Sequence, residues 1–418
     1  MLDCDVAVEI LPFPPTSGGY ALVLVRFFGE PIGLITGTVP ADGLEPRALA
    51  AAIAERLEPE LRERFEECGL TWAGELPLAG LDPPATPAFV RSRDAVLSSG
   101  PGMTIVVCTR DRPDSLRLLL KSLAAQRYPR AHVLVVDNAP SDDRTRRLVA
   151  KAADETDVEY VVEPRPGLSW ARNRALEVAQ DEVLAWADDD AVCDPWWATE
   201  LARAFVDVPA AGAVTGVVVP SELATQSQVW YEQYCGVGRG RGLERIVFAP
   251  GSRDHDPLYP MPIFGSGNNM AFRRRALEQI GGFDRWLGAG TATQSGEDIA
   301  ALSSVMLEGW SLVYQPSAIV RHAHRRAYAD LRRLQVGYGR GMGAFYASLI
   351  AHRPSTAVDM LRLVPRAARD QLSRRGRRLG EMDDGVRRDL LRAFRVGLLQ
   401  GPFIYSGSWG WGIATRRS

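Results

Sequence analysis

The stretch "MTIVVCTRDRPDSLRLLLKSLAAQRYPRAHVLVVDN", residues 103–138, contains two short apolar runs separated by a leucine-rich segment. The runs 103–109 and 132–138 have the length and β-branched composition of buried strands. Between them, 113–126 carries leucines at helical spacing, with Pro113 near its start, where a helix tolerates proline. A strand, a helix and a strand in this order predict two parallel strands joined by a crossover helix.

The same alternation continues along the chain. It predicts strands at "VEYVVE" (158–163) and "EVLAWA" (182–187), and helices at "SDDRTRRLVAKAADE" (141–155) and "GLSWARNRALEVAQ" (167–180). Ser141 and Asp142 are of the residue types that cap a helix N-terminus. The pattern predicts an α/β domain whose mostly parallel sheet is covered by helices on both faces. In such sheets, ligands bind beyond the carboxyl ends of the strands.

At 418 residues the chain is long for one domain. Residues 1–82 predict a small α+β domain, with a hairpin around "GEP" (29–31) and a helical stretch interrupted near Pro59. Residues 83–102 have the composition of a linker. The α/β domain is then expected at 103–327, and an arginine-rich helical segment at 328–418.

Composition narrows the class of protein. With 46% hydrophobic and 24% charged residues, the chain is typical of a soluble globular protein. It has no apolar run long enough to span a bilayer, and its N-terminus lacks the pattern of a secretory signal. The five cysteines show no metal-binding spacing, which favours a reducing cytoplasm. No nucleic-acid partner is expected.

The net charge of −2 hides an uneven distribution, because residues 321–418 hold 20 Arg and 7 acidic residues. Apolar residues alternate with these arginines. Packing on the α/β domain is the default interpretation of this segment. Pairing of protomers in a homo-oligomer and peripheral contact with an anionic membrane surface are the alternatives.

Three consecutive aspartates follow the strand in "LAWADDDAVCDPWW", residues 184–197. Their mutual repulsion costs stability unless a positive charge lies among them. Asp188 and Asp190, at i and i+2, can direct both carboxylates into one cavity and leave Asp189 turned away. Hard oxygen ligands of this kind suit Mg²⁺ or Mn²⁺ with a bound phosphate. A solvated acidic turn is the alternative.

Two more candidates lie at the same edge of the predicted sheet. Asp137 ends the second strand, where its carboxylate can accept a hydrogen bond from a uracil ring NH or a ribose hydroxyl. Otherwise it starts a turn. Arg172 lies at the beginning of a helix, where an arginine can reach a base or a phosphate. Its alternative role is a surface salt bridge.

Later in the chain, Glu297 and Asp298 open a predicted helix, where carboxylates are stabilised by the helix dipole. In a functional role, Asp298 is a general base, ionised at neutral pH. The strand "SLVYQPSAIVRHAHR" (311–325) ends in two histidines that share a face. His322 is the candidate metal or phosphate ligand, whereas a structural role fits His324 at least as well.

These motifs together resemble an inverting family-2 glycosyltransferase with a GT-A fold, over about residues 103–345. The resemblance rests on the order of its pieces, since each alone is weak. The pieces are "TIVVCTRDRPDSLRLLLKSL", "VLVVDNAPSDD", "GLSWARNRAL", "LAWADDDAVCDPWW", "GSGNNMAFRRRALEQIGGFD", "GEDIAAL" and "VRHAHR".

The resemblance implies a nucleoside-diphosphate sugar donor, with UDP favoured, and a small-molecule, peptide or glycan acceptor. The implied contacts to the donor nucleotide are Thr109, Arg110, Asp137, Arg172, Asp188 and Asp189. Asp190 and His322 would hold Mn²⁺ or Mg²⁺ at the diphosphate. Asp298 would deprotonate the acceptor, and Glu297 would contact the acceptor or the donor sugar.

The Q-x-x-R-W motif of the family's processive polymerases is not in the sequence, so transfer of one or a few sugars is expected. Three other classes fit the sequence less well. A sugar-phosphate nucleotidyltransferase needs a glycine-rich loop where this chain has "CTRDRPDS" (108–115), which contains no glycine. A nicotinamide oxidoreductase fits even less, because no G-x-G-x-x-G follows a strand and opens a helix. A sugar-nucleotide or glycan binder without turnover is the alternative from another class, and the complete set of acid, base and metal residues argues against it.

Overall fold

The computed structural model describes residues 2–8, 10, 19–154, 156–236, 242–252, 256–259, 264–363 and 382–414. Its strands are β1 (Leu2–Asp5), β2 (Gly19–Phe27), β3 (Glu30–Val39), β4 (Met103–Thr109), β5 (Ala131–Asn138), β6 (Val158–Glu163), β7 (Val183–Ala187), β8 (Ala191–Cys193), β9 (Ala211–Pro220), β10 (Ile246–Phe248), β11 (Asn269–Arg273) and β12 (Ser311–His322). The helices named below are α1 (Pro46–Arg56), α2 (Glu58–Glu67), α3 (Ala88–Ser99), α4 (Pro113–Ala124), α5 (Arg144–Ala152), α6 (Leu168–Val178), α7 (Trp197–Asp207), α8 (Gln226–Cys235), α9 (Arg274–Gln279), α10 (Glu297–Leu307), α11 (Tyr328–His352) and α12 (Asp384–Ala414).

The predicted α/β class is confirmed. A nine-stranded sheet has the order β10-β12-β9-β11-β7-β4-β5-β6, and β8 pairs with β12. The four strands β6, β5, β4 and β7 are parallel, as the alternation predicts. Beyond β7 the sheet is mixed, because β11 runs antiparallel to both β7 and β9. A five-residue strand such as β11 carries no sequence signal of its direction, so the sequence could not show this.

The sheet separates two buried hydrophobic clusters. Successive side chains of a strand point to opposite faces, so Ile105 and Val107 enter one cluster and Val106 enters the other with Trp186. The parallel strands end at a common edge. Thr109, Asp137 and the aspartates that follow β7 therefore lie on the same side of the domain.

The predicted capping of α5 is wrong in detail. The helix begins at Arg144, and no side chain caps it at Asp143. Ser141 instead donates hydrogen bonds from its N–H and its hydroxyl to Asp111 Oδ1, at 2.9 and 2.8 Å. Asp142 Oδ1 accepts the Arg144 N–H at 2.9 Å. The side chain of Ser141 therefore ties the loop after β5 to the loop after β4.

Residues 2–82 contain a three-stranded sheet, in the order β1-β2-β3, with α1 and α2. The β2–β3 hairpin forms where predicted. The helical stretch is interrupted at Leu57, and Pro59 lies in the first turn of α2. Proline is tolerated there because the first N–H groups of a helix have no intrahelical partner. This part is called the N-terminal unit below.

Residues 83–102, predicted as a linker, contain α3. This helix packs against α7, and its Val96 is buried in the cluster that contains Ile105. The sequence did not indicate this helix, because prolines, serines and glycines at both ends of the stretch outweigh the signal of its single apolar face. The division of the chain into four parts stays a prediction.

Helices α11 and α12 lie side by side and run in the same direction. Near their starts, Tyr328 donates a hydrogen bond to Asp389. Further along, glycines bring the two backbones into contact at Gly339, Gly343, Gly397 and Gly401. No helix within the described ranges has an apolar stretch long enough to cross a membrane. No disulfide joins the cysteines of those ranges.

We predict that Gly397→Ala lowers the free energy of unfolding by about 1–3 kcal/mol, the usual cost of overpacking. A β-carbon at Gly397 would overlap the carbonyl oxygen of Val336. Gly407 is the matched control, because a β-carbon there meets nothing within 4 Å. Gly407→Ala should stabilise by roughly 0.5–1 kcal/mol through helix propensity. Urea unfolding of both variants measures this, and equal effects would show that the backbones of α11 and α12 are not in contact.

Candidate active site

Strand pairing brings together three side chains that are far apart in sequence. Asp188 and Asp190 lie between β7 and β8, and His322 ends β12. Because β8 pairs antiparallel with β12, Ala191 is opposite His322. One ligand atom from each of Asp188, Asp190 and His322 lies within 4.8 Å of the other two. His322 Nε2 is 3.2 Å from Asp190 Oδ1.

This group, called the metal cluster below, offers two carboxylates and an imidazole. Oxygen and imidazole ligands suit Mn²⁺, and carboxylates also suit Mg²⁺, so the donor set fits a divalent cation. Asp189 does not belong to the cluster. Its Oδ2 accepts a hydrogen bond from the Thr109 hydroxyl at 2.7 Å, and its Oδ1 accepts one from Arg112 Nη1 at 2.5 Å.

Arg112, which no motif of the sequence marks as a site residue, joins two of the three aspartates. Its Nη2 donates to Asp190 Oδ2 at 2.8 Å. Burial alone would raise the pKa of Asp190, but the hydrogen bonds and charges of His322 and Arg112 outweigh it and hold that pKa well below its usual range. Burial raises the pKa of Asp189 to about 6, against the opposing effects of Arg112 and Thr109. The only signal in the sequence was the place of Arg112 in the loop after β4.

A buried ion pair lies beside the metal cluster. Arg172 Nη1 donates to Glu297 Oε1 at 2.8 Å, and Nη2 lies 4.0 Å from Asp188 Oδ1. Burial raises the pKa of Glu297 to about 7, although the charge of Arg172 opposes the shift. The arginine therefore stands between Asp188 and Glu297. Its predicted contact with a base or a phosphate stays a prediction.

Gly267 lies between Asp298 and Arg172. Asp298 Oδ2 accepts the Gly267 N–H at 2.7 Å, and its Oδ1 accepts the Ile299 N–H at 2.8 Å. A β-carbon at Gly267 would come within 2.9 Å of Arg172 Nη2 and 3.1 Å of Asp298 Oδ2. Gly267, also missed from the sequence, allows this close approach. The metal cluster, Arg172 and Asp298 thus form one continuous site.

The candidate nucleotide contacts differ in their surroundings. Asp137 is fully buried, its Oδ2 accepts the Tyr160 hydroxyl at 2.8 Å, and burial raises its pKa. Its buried Oδ1 has no hydrogen-bond partner among the residues that the structure describes. Arg110 points outward, with its Nε 4.0 Å from Asp111. Contact of Thr109, Arg110 and Asp137 with a nucleotide stays a prediction.

His324 does not belong to the metal cluster, although its ring centroid is 5.8 Å from that of His322. Its Nε2 pairs with the buried carboxylate of Glu232, and its ring centroid is 4.1 Å from that of Tyr231. These contacts fasten the chain after β12 to α8. They match the structural role that the sequence left open for His324.

Comparison with known proteins gives a consistent set of relatives. Residues 104–281 match the model of the family described as "Glycosyl transferase family 2". A glucosyl-dolichyl phosphate glucuronosyltransferase from Haloferax volcanii is 27% identical over 230 residues, which cover 53% of this chain and 68% of the relative. The pre-mycofactocin glycosyltransferase of Mycobacterium tuberculosis (strain CDC 1551 / Oshkosh) is 25% identical over 269 residues, 62% of this chain and 50% of the relative.

A solved structure, the mannosyltransferase PcManGT from Pyrobaculum calidifontis in complex with GDP-Man and Mn²⁺, aligns with a TM-score of 0.45 and 18% identity. The alignment covers 79% of this chain and 82% of that one. The chain spans only half the length of the mycobacterial relative. The matched family region includes Asp137, Arg172 and the aspartate triplet and ends before Asp298.

Proposed function

We propose that this chain, whose residues 104–281 are a family 2 glycosyltransferase domain, moves a sugar from a nucleoside-diphosphate sugar to an acceptor hydroxyl. One observation carries the proposal. The metal cluster of Asp188, Asp190 and His322 lies near a further carboxylate, Asp298, with Arg172 and Gly267 between them. A pure binder of sugar nucleotides has no need of that further carboxylate.

Asp188, Asp190 and His322 would hold Mn²⁺ or Mg²⁺, which when bound neutralises the negative charge that develops on the departing diphosphate. Asp298 takes the proton of the acceptor hydroxyl. Two backbone N–H groups fix the orientation of its carboxylate, at 2.7 and 2.8 Å. The acceptor oxygen attacks the anomeric carbon on the face opposite the leaving diphosphate, so a single displacement inverts that centre.

Asp298 is a better base than its neighbour Glu297. The Glu297 carboxylate is buried and engaged by Arg172 at 2.8 Å, so it is not free to accept a proton from an acceptor. We assign Glu297 to holding Arg172 in place beside Asp188.

The donor nucleotide is proposed to be UDP, since Asp137 Oδ1, which has no partner within the described residues, can accept the ring NH of uracil or a ribose hydroxyl. This oxygen is buried, and leaving a buried acceptor unpaired costs about 1–3 kcal/mol. A bound nucleoside would recover that cost. Transfer of one or a few sugars is proposed, in keeping with the missing processivity motif.

Incubation with a panel of UDP- and GDP-sugars, with Mn²⁺ or with a chelator, tests this function. Thermal shift should identify the donor, and release of the nucleoside diphosphate should require the cation. Stabilisation without any release, in the presence of candidate acceptors, would indicate a binder. Failure of every nucleotide sugar to stabilise the protein would remove the proposal.

The C-terminal helices suggest where the acceptor is presented. Val396, Leu399 and Phe403 form a stripe along α12 and are 47%, 73% and 81% exposed. The exposed arginines Arg392 and Arg395 adjoin it. We propose that this stripe rests on an anionic membrane surface, since apolar residues flanked by arginines match such a surface in charge and polarity. Two copies facing each other through the stripe would bring like charges together.

We predict that Phe403→Ser weakens binding to liposomes containing phosphatidylglycerol roughly tenfold or more, because a buried Phe contributes about 1.5–3 kcal/mol. Leu118→Ser is the control, since Leu118 is 63% exposed on α4 and lies outside the stripe. Flotation at low and high salt measures both variants. Wild-type protein that fails to float at low salt would exclude the membrane. A dimer that Phe403→Ser dissociates would identify a second copy as the occupant.

A further inference from the structure

The N-terminal unit forms a buried ion pair with the end of β8, the short strand that follows the aspartate triplet. Arg26 of β2 is buried, and its Nη1 donates to Asp194 Oδ2 at 2.6 Å. Asp194 comes directly after β8, and its N–H donates to the Ile319 carbonyl of β12 at 3.0 Å. The ion pair between Arg26 and Asp194 therefore anchors the far end of β8.

The same unit also forms an ion pair with β12, the strand that carries His322. Arg26 Nη2 donates to Asp3 Oδ2 at 2.6 Å. That Asp3 oxygen also accepts a hydrogen bond from Arg321 of β12. Asp3 thus joins an arginine of its own sheet to the residue immediately before His322. Both strands that support the metal cluster are attached to the N-terminal unit through Asp3 and Arg26.

Such anchoring matters because β8 is short. It has three residues, paired with β12 from Ala191 opposite His322 to Cys193 opposite Val320. A three-residue strand at the edge of a pairing contributes little order by itself. Metal–ligand distances, in contrast, must hold within about 0.2 Å. Residues outside the ligand set that orient the ligands therefore affect metal affinity.

We propose that the N-terminal unit is a brace that sets the geometry of Asp190 and His322, with Arg26 and Asp3 as positioning residues. The proposal rests on the metal cluster of the proposed function, and it assigns these residues no contact with substrate. It predicts that removing the ion pairs of Arg26 or Asp3 lowers the affinity for the cation more than their contribution to thermal stability accounts for.

A second attachment of the N-terminal unit provides a matched control. Glu30 of β3 is buried, and its Oε1 accepts a hydrogen bond from Arg203 Nη2 of α7 at 2.6 Å. This ion pair joins the same two parts of the protein and is as buried as that of Arg26 and Asp194. The direct partner of Glu30 is on α7 rather than on β8 or β12, although Glu200, which also pairs with Arg203, accepts a hydrogen bond from Gln315 in the first half of β12. A change at Glu30 therefore tests how far attachment of the N-terminal unit to α7 matters, whereas a change at Arg26 tests its attachment to β8 and β12.

The experiment compares Arg26→Gln, Asp194→Asn and Glu30→Gln in the full chain. Each change replaces one charged partner of a buried ion pair by an uncharged amide. Mn²⁺ affinity is measured by titration with the free ion detected by electron paramagnetic resonance, and thermal unfolding is recorded alongside. We expect the first two variants to raise the Kd for Mn²⁺ about tenfold, the lower end of the effect of outer-shell partners. Glu30→Gln should stay within about twofold of wild type, with a similar loss of thermal stability.

Equal weakening of Mn²⁺ affinity in all three variants, or none in Arg26→Gln, overturns the brace. Hydrogen–deuterium exchange gives a readout that needs no metal. Exchange of the peptides covering 188–194 and 319–324 should rise in Arg26→Gln and not in Glu30→Gln. Unchanged exchange there also overturns the proposal. Wild-type protein that binds no Mn²⁺ but shows this pattern of exchange would refute the metal site of the proposed function and retain the brace.

Discussion

Asp298→Asn is expected to lower kcat for sugar transfer by about 10²–10⁴-fold, the usual contribution of a general base. Donor affinity should stay within about twofold of wild type, because the amide matches the carboxylate in size and its one oxygen can keep one of the two backbone hydrogen bonds, that from Gly267 N–H. The amide cannot take a proton from the acceptor. Steady-state kinetics with the identified donor, together with calorimetric titration of UDP, measure both quantities.

Asp114→Asn is the matched control, because Asp114 lies in the first turn of α4 with a side chain that is 95% exposed. It should leave kcat unchanged. Near-normal turnover in Asp298→Asn would refute the base assignment. Loss of turnover in Glu297→Gln combined with normal turnover in Asp298→Asn would transfer the role to Glu297.

The sequence predicted the parallel half of the sheet well because its signals are local. β-Branched runs bounded by polar residues mark β4, β5 and β6, and the predicted bounds of β4 and β6 agree with the structure. The direction of β11 and the helix within 83–102 depend on what those segments pack against. Local composition cannot show such contacts, and the proline-rich flanks of α3 obscured its apolar face.

The residues of the candidate site likewise fall into two groups, those that local sequence signals indicate and those that they do not. Residues placed at strand ends or helix starts, such as Asp190, Asp298 and His322, could be proposed from the sequence because those positions converge in an α/β fold. Arg112 and Gly267 were missed because their importance depends on how two loops approach each other. An arginine in a loop and a glycine in a turn are ordinary in sequence. Their significance becomes visible only in the folded chain, where Arg112 donates a hydrogen bond to Asp190 and the Gly267 N–H donates one to Asp298.

Asp190→Ala is expected to reduce the affinity for UDP in the presence of Mn²⁺ about 100-fold, to the level that wild-type protein shows with a chelator. Loss of an outer-shell partner alone costs about 10–100-fold in metal affinity, and Asp190 is a proposed direct ligand whose Oδ1 lies 3.2 Å from His322 Nε2. Calorimetric titration of UDP with and without Mn²⁺ measures the effect.

The control for this change is Asp189→Asn, because Asp189 is the neighbouring carboxylate outside the metal cluster, held by Thr109 and Arg112. That variant should keep most of the dependence on Mn²⁺. Arg112 loses one of its two carboxylate partners in either variant, so a shared change in affinity reports on the arginine, whereas the difference between the variants reports on the cation. Equal, Mn²⁺-dependent affinity in both would place the cation elsewhere. Neutralisation of the diphosphate would then fall to Arg112 and Arg172, the two arginines that already contact or adjoin the triplet.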